Sequence, residues 1–192
     1  MTNSKITIRQ ATAKDAVIIA QIVAMAIGDE AAVIEYCGDD YLTTLAEIAR
    51  AEETQYSYQN TLLAEINGLI AGAVIGYDGA QLETLRNGTF TILQKLIGRV
   101  PHIPNETEPG EFYLDSIGVF PEFRDLGVGR ALTTALRDKA FREGHERVGL
   151  IVDVENPKAE KLYQAIGFRR IGSRIFFGHQ MWHLSVNRQH SR

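Results

Sequence analysis

Apolar and polar residues alternate over 5–9, Lys-Ile-Thr-Ile-Arg, which predicts a strand with one buried face. Thr12 and Asp15 supply an N-cap region, and the apolar run behind them predicts a helix through about Ile27. A second helix is predicted over about 40–53. The apolar runs Thr61–Ile66 and 69–77 flank Asn67-Gly68, residues that accept positive φ and so fit a two-residue hairpin turn. A strand over 112–119 leads through a glycine-rich turn to a helix of about 129–143, in which Leu132, Ala135, Leu136 and Ala140 form the buried face. A strand at 148–154, a helix opening at Asn156, and strands near 168–177 and 179–186 follow. Strands alternating with helices in this way predict an α/β protein, three layers built on a mixed sheet.

The tract 80–110 interrupts that rhythm. Leu82, Leu85, Leu93, Leu96 and Ile97 suggest one or two helical segments, while Pro101, Pro104 and Pro109 keep the remainder non-helical. An insertion just before a central strand is placed to wall or cover a substrate site, and the same residues would equally serve as packing or as the contact of a homodimer.

Length and composition add bounds. With 192 residues, 45% of them hydrophobic, and no low-complexity tract, one domain over 1–192 is expected. Cys37 is the only cysteine, so no intramolecular disulfide can form and a reducing compartment is the simplest setting, where the sequons at Asn87 and Asn105 carry little weight. Residues 1–20 lack the basic start and unbroken apolar core of a signal peptide, and no apolar run is long enough to span a bilayer. A cytoplasmic protein that binds no membrane is expected. The net charge of −4 argues against nucleic-acid binding. Residues 1–100 carry −5 and residues 101–192 carry +1, which favours an anionic ligand on the second half and a cationic acceptor on the first. Solvated surface charge would give the same balance.

Chemistry concentrates at 124–129, Arg-Asp-Leu-Gly-Val-Gly, between a strand and a helix. A helix N-terminus with unpaired N–H groups and no Cβ at Gly127 or Gly129 suits a phosphate or pyrophosphate. No nucleotide P-loop is present, because Gly129 is followed by Arg130-Ala131 rather than Lys-Ser/Thr. The dinucleotide fingerprint would need glycine where Leu132 stands, and it should follow the strand directly. An ordinary strand-to-helix turn remains an alternative on this tract alone. Downstream, Asn156-Pro157 reads as N-cap and first helical residue, with Ala159, Leu162, Tyr163 and Ile166 on one stripe ended by Gly167.

Arg124-x-x-Gly127-x-Gly129, with Pro121 upstream, resembles the acyl-CoA signature (Gln/Arg)-x-x-Gly-x-(Gly/Ala) of the GNAT superfamily of N-acyltransferases. Asn156-x-x-Ala159-x-x-Leu162-Tyr163-x-x-x-Gly167-Phe168 is similar to that family's second motif. The resemblance is tight over about 111–168 and implies a three-layer α/β/α fold whose mixed central sheet is splayed. It implies acetyl-CoA as co-substrate and a primary amine, most simply of a small molecule, as acceptor. A protein lysine or N-terminus is the near alternative, and a silent acyl-CoA-binding module or a nucleotide-binding oxidoreductase the remoter ones.

The resemblance also assigns residues. Backbone groups of Arg124, Asp125, Leu126, Gly127, Val128, Gly129 and Arg130, with Ala131 opening the helix, would cradle the pyrophosphate, with Arg124 and Arg130 able to add charge. Ile117, Gly118 and Val119 would offer backbone groups to the pantetheine arm and the thioester carbonyl, and Asn156 would support the cofactor site. Tyr163 matches the tyrosine that protonates the departing thiolate. Asp115 is the candidate general base, expected to share a strand face with Ile117 and with Tyr113, which stands where other members place a glutamate. Metal chemistry is disfavoured: His179-Gln180-Met181-Trp182-His183 has glutamine where H-E-x-x-H needs its carboxylate.

Overall fold

The computed structural model describes residues 5–189. Seven strands form one open mixed sheet: β1 (Ile6–Gln10), β2 (Thr61–Ile66), β3 (Leu69–Asp78), β4 (Phe112–Val119), β5 (Arg147–Asp153), β6 (Arg169–Phe176) and β7 (His179–Asn187), in the order β1-β2-β3-β4-β5-β7-β6. All neighbours are antiparallel except β4 and β5. On one face lie α5 (Val128–Arg142) and α6 (Pro157–Ile166). The other carries α1 (Ala16–Ile27), α2 (Glu30–Cys37), α3 (Tyr41–Arg50) and α4 (Leu82–Ile97).

The two cores follow from the period of each element. Leu132, Leu136 and Ala140 of α5 meet Val74, Leu114, Val148, Leu150 and Phe168 beneath the sheet. Ile19, Ile22 and Val23 of α1 meet Leu45, Ile48, Ala73, Ile75 and Leu93 above it. Each such large side chain contributes roughly 1.5–3 kcal/mol through burial. The Asn67-Gly68 turn forms as expected, with φ of 52° and 80°.

Two expectations need amendment. No element was anticipated between residues 28 and 39, yet Asp29 Oδ1 accepts from Ala31 N (2.9 Å) and caps the short helix α2. The following helix ends at Arg50 rather than near 53, because the Thr54 hydroxyl takes the Ile48 carbonyl (2.8 Å) while Ala51 turns extended. The tract 80–110 holds one sixteen-residue helix, α4, and then an irregular segment that reaches β4.

The start of α1 is fixed to β1 and β2 by charge. Arg9 donates to both carboxylate oxygens of Asp15 (2.9 Å) and to Glu65 (2.6 Å), and Asp15 also accepts from Thr12 N (2.8 Å). The Arg9 hydrogen bonds hold the Asp15 carboxyl down at about 2, against an ordinary 3.8. A carboxyl lowered in the folded state stabilises above its unfolded value, and the contribution is lost as pH falls through the folded one. Asp15→Asn is therefore expected to lower stability at pH 7 by about 1 to 2 kcal/mol. In denaturant titrations the gap to wild type should close between about pH 4 and pH 2; a gap constant over that range would contradict this role.

Candidate active site

The turn between β4 and α5 is built by backbone conformation. Pro121–Phe123 makes one 3-10 turn, Asp125 and Gly127 take left-handed φ of 61° and 84°, and α5 starts at Val128. The first helical bond is Ala131 N to the Gly127 carbonyl (3.0 Å), so the amides of Val128, Gly129 and Arg130 point out of the helix end with no side-chain cap. A Cβ at Gly127 would meet nothing within 4 Å, and one at Gly129 would make only ordinary contact with Leu162 at 3.5 Å. Packing within the protein therefore does not demand Gly129; a Cβ there would narrow the approach to the amides. Arg124, Asp125, Leu126 and Arg130 are exposed around the turn, and the exposed Asp125–Lys158 pair at 3.4 Å adds little stability.

This turn stands at the mouth of a break in the sheet. β4 and β5 pair only at Phe112↔Val148 and Tyr113↔Gly149. Beyond that point Ile117, Gly118 and Val119 pair with Val74, Ala73 and Gly72 of β3, and with no strand on their other side. Leu150–Asp153 likewise pair with β7 alone. α1 presses on the top of this stretch, where a Cβ at Gly118 would come within 3.2 Å of Ile22. Ile117, Val119, Leu162 and Tyr163 join the cluster on the α5 face below it.

α6 supplies two of the expected residues. Asn156 Oδ1 accepts from Ala159 N (3.1 Å), the N-cap bond its position predicts. Tyr163 is buried with its ring edge-on to Phe168 (5.9 Å), and burial pushes its hydroxyl up to about 12.

Asp115 does not share a face with Ile117, and that expectation is corrected. Ile75 pairs with Ser116 and Gly76 with Leu114, so Asp115 is the extra residue of a β-bulge. The bulge keeps Asp115 on the face of Tyr113 and Tyr77 and returns Ile117 to the α5 face. Half-buried, Asp115 accepts from the Tyr77 hydroxyl (2.6 Å) and from Ser116 Oγ (2.7 Å). Burial raises its carboxyl above the ordinary value against the pull of those bonds.

A second carboxylate, which sequence reasoning missed, lies beside it. Glu106 descends from the irregular segment and pairs with buried Arg86 of α4; Gln55 Nε2 also donates to it (3.2 Å). Burial and the charge of Asp115 push it up to about 6. The available signal was Arg86, a cation on the apolar stripe Leu82, Leu85, Thr89 and Leu93, which requires a buried anion as partner.

The irregular segment is anchored by a third buried carboxylate. Glu111 receives the Thr107 hydroxyl (2.8 Å) and His183 Nε2 (3.0 Å), while His183 Nδ1 faces Arg174 Nη2 (3.0 Å). Arginine can only donate, so in this arrangement His183 Nδ1 accepts from Arg174 and Nε2 donates to Glu111. Gly149 is required below, since a Cβ there would overlap the Glu111 carboxylate. His179 instead pairs with Asp153 (3.0 Å), so the two histidines do not converge. Among the described residues no group of three or more His, Cys, Asp or Glu is arranged to hold a metal ion, and no helix is long and apolar enough to cross a membrane.

Comparison with known proteins settles the family. The model of the Acetyltransferase (GNAT) family matches residues 31–168. The chain belongs to the GNAT family. Its structure superposes on a crystal structure described as an acetyltransferase with TM-score 0.81 and 31% identity, covering 94% of this chain and 98% of that one. An N-acetyltransferase from Staphylococcus aureus Mu50 gives TM-score 0.78 and 26% identity over 94% and 100% of the two chains. A mycothiol acetyltransferase from Paenarthrobacter aurescens (strain TC1) is 41% identical over 69 residues, 36% of this chain. The GNAT chain spans only 21% of that relative's length. The three-layer α/β fold with a mixed, open sheet is thus that of GNAT acetyltransferases.

Within this GNAT fold, the glycine turn, Ile117–Val119 and α6 converge on the break in the sheet, while Asp115 approaches it from the opposite face to Tyr163. Replacing the cap with Asn156→Ala should cost about 1 kcal/mol. Urea unfolding of the purified variant reads this directly, and a wild-type midpoint would remove the N-cap role.

Proposed function

We propose that the protein transfers an acetyl group from acetyl-CoA to a primary amine of a small molecule. The observation that carries this reading is the parting of β4 from β5, which exposes strand backbone and runs directly into the uncapped N-terminus of α5. A long ligand with an anionic middle and a thioester at its end fits such a slot. Its pyrophosphate would meet the amides of residues 124–131, and its arm the backbone of Ile117, Gly118 and Val119. Asn156 acts at one remove by fixing the start of α6, which carries Tyr163.

The amine half rests on charge. Asp115 and Glu106 lie together, and the buried Gln55 Oε1 has no hydrogen-bond partner among the described residues, so a donor from an ammonium would satisfy a group now unpaired. A cleft of about 390 Å³ near the turn is lined by Glu30, Tyr41 and Arg124, and gives a further carboxylate on the approach. Relatives named mycothiol acetyltransferase favour a small-molecule acceptor over a protein.

In this mechanism Asp115 takes the ammonium proton. An amine of pKa near 10.4 is neutral in only about one molecule in 2,500 at pH 7, so an acceptor for that proton is needed. The freed amine forms the C–N bond as the C–S bond breaks, and the nitrogen gives up its surplus proton, which ends on the departing sulfur. Tyr163, protonated throughout because burial pushes it to about 12, faces a thiolate of parent pKa about 8.5. Complete transfer runs uphill by roughly 3 to 4 pH units, so the hydroxyl acts chiefly by donating a hydrogen bond to the departing sulfur.

Acetyl-CoA binding should be abolished by Gly127→Glu, which puts a carboxylate over the uncapped amides; unchanged affinity in a folded variant refutes the site. Tyr163→Phe should leave acetyl-CoA affinity unchanged and lower kcat by about 10- to 100-fold. Thiol release measured with a panel of primary amines, aminoglycosides and peptides checks it, and wild-type turnover under rate-limiting chemistry reduces Tyr163 to packing. A panel in which only peptides react transfers the assignment to a protein acceptor, and one in which nothing reacts leaves an acyl-CoA-binding module.

A further inference from the structure

The strongest feature outside the assigned machinery is the group around the Tyr77 hydroxyl. That oxygen lies 2.6 Å from Asp115 Oδ2 and 3.4 Å from Glu106 Oε1, and it has one proton to give. Gln55 Nε2 donates to the hydroxyl oxygen and to Glu106 Oε1, both at 3.2 Å, which ties the three side chains together. Arg86 closes the far side of Glu106 with an ion pair and also donates to the Asn105 side chain (2.6 Å). Two carboxylates, one hydroxyl proton between them and one guanidinium beyond leave the cluster one negative charge when both acids are ionised.

We propose that Asp115 and Glu106, joined through the Tyr77 hydroxyl, act as one proton acceptor, so that a residue of the irregular segment sets the basicity of the strand residue that meets the amine. This rests on the acetyltransferase reading above. With both acids ionised, Tyr77 donates to Asp115. When Asp115 takes the ammonium proton, the N–H bond breaks and an Asp115 O–H bond forms. Asp115 then donates to the Tyr77 oxygen, and Tyr77 turns its own proton to Glu106. The proton is shared by the pair, and no other reactant is involved. Glu106 is a positioning residue here: it does not meet the amine, and its charge makes Asp115 a better base.

The surroundings leave the pair to titrate with few competitors. Tyr36 of α2, Tyr56 before β2, Tyr77 of β3 and Tyr113 of β4 all feel Asp115, and burial pushes every one of these hydroxyls up. They stay neutral where carboxylates titrate. Arg86 from α4 is then the charge that opposes the pair, and Arg174 of β6 donates to the Glu106 backbone carbonyl (2.7 Å).

The signs of two substitutions separate this arrangement from simple packing. Glu106→Gln removes a like charge, keeps an oxygen for Arg86, and should move the Asp115 titration to lower pH by about one unit or more. Tyr77→Phe removes a donor to the Asp115 carboxylate and should move it to higher pH. The readout is carboxyl-carbon NMR of the free, aspartate- and glutamate-labelled protein, with Asp115→Asn used for assignment. In the wild type the two carboxyls should titrate together, each showing an inflection at the other's midpoint. Independent titration in the wild type, or an Asp115 midpoint unmoved by Glu106→Gln, overturns the pair whatever the amine panel shows. Coupled titration without thiol release from any amine would instead overturn the acetyltransferase reading. With an active amine, the acidic limb of kcat/KM should follow the NMR midpoint in each variant.

Discussion

Backbone N–H and C=O groups in the middle of a buried sheet are normally paired, and here one central strand gives up that pairing along most of its length. β4 leaves β5 after Tyr113 and Gly149, and no other described strand pairs with it on that side. The departure is held from both ends. Glu111, anchored by His183 and Thr107 over Gly149, fixes the closed end. At the open end Val119 runs into the turn that carries α5, whose helix is locked beneath the sheet by Leu132 and Leu136. A ligand that hydrogen-bonds as a strand would restore what the sheet lacks.

The bulge at Asp115 gives the slot two chemically different sides. Without the extra residue, Ile117 would share the face of Tyr113 and Asp115; with it, Ile117 joins the apolar cluster that contains Tyr163, while the carboxylate stays with Tyr77, Glu106 and Arg86 on the opposite face. Tyr163 and the proposed base Asp115 therefore lie on opposite faces of the sheet, on either side of the gap. Two buried carboxylates and half-buried Asp115 stay tolerable because each is compensated: Asp115 by hydroxyls, Glu106 by a guanidinium, Glu111 by an imidazole and a threonine.

Local signals in the sequence carried most of the fold. The Asn67-Gly68 turn, the Asn156 cap and the α5 stripe each depend on residues within a few positions, and each appears where expected. What local reading could not supply was set by distant partners. Tyr113-Leu114-Asp115-Ser116-Ile117 reads as plain alternation, and the bulge is visible only against β3. The eight residues of α2 are too few for a clear period, so Asp29 went unread as its cap. Glu106 meets Gln55 and Arg86 from 51 and 20 residues away, and only the misplaced charge of Arg86 hinted at it.

The central claim is that a strand-like, anion-bearing ligand seats along β4 and ends on α5. Backbone amide hydrogen exchange, followed with and without acetyl-CoA, tests it most directly, because amides that lack partners exchange fast until a ligand pairs them. Slowed exchange is predicted at Ile117 and Val119 and at 128–130 on adding acetyl-CoA, with NAD giving no protection there. Binding that protects other segments while these amides still exchange freely would contradict it.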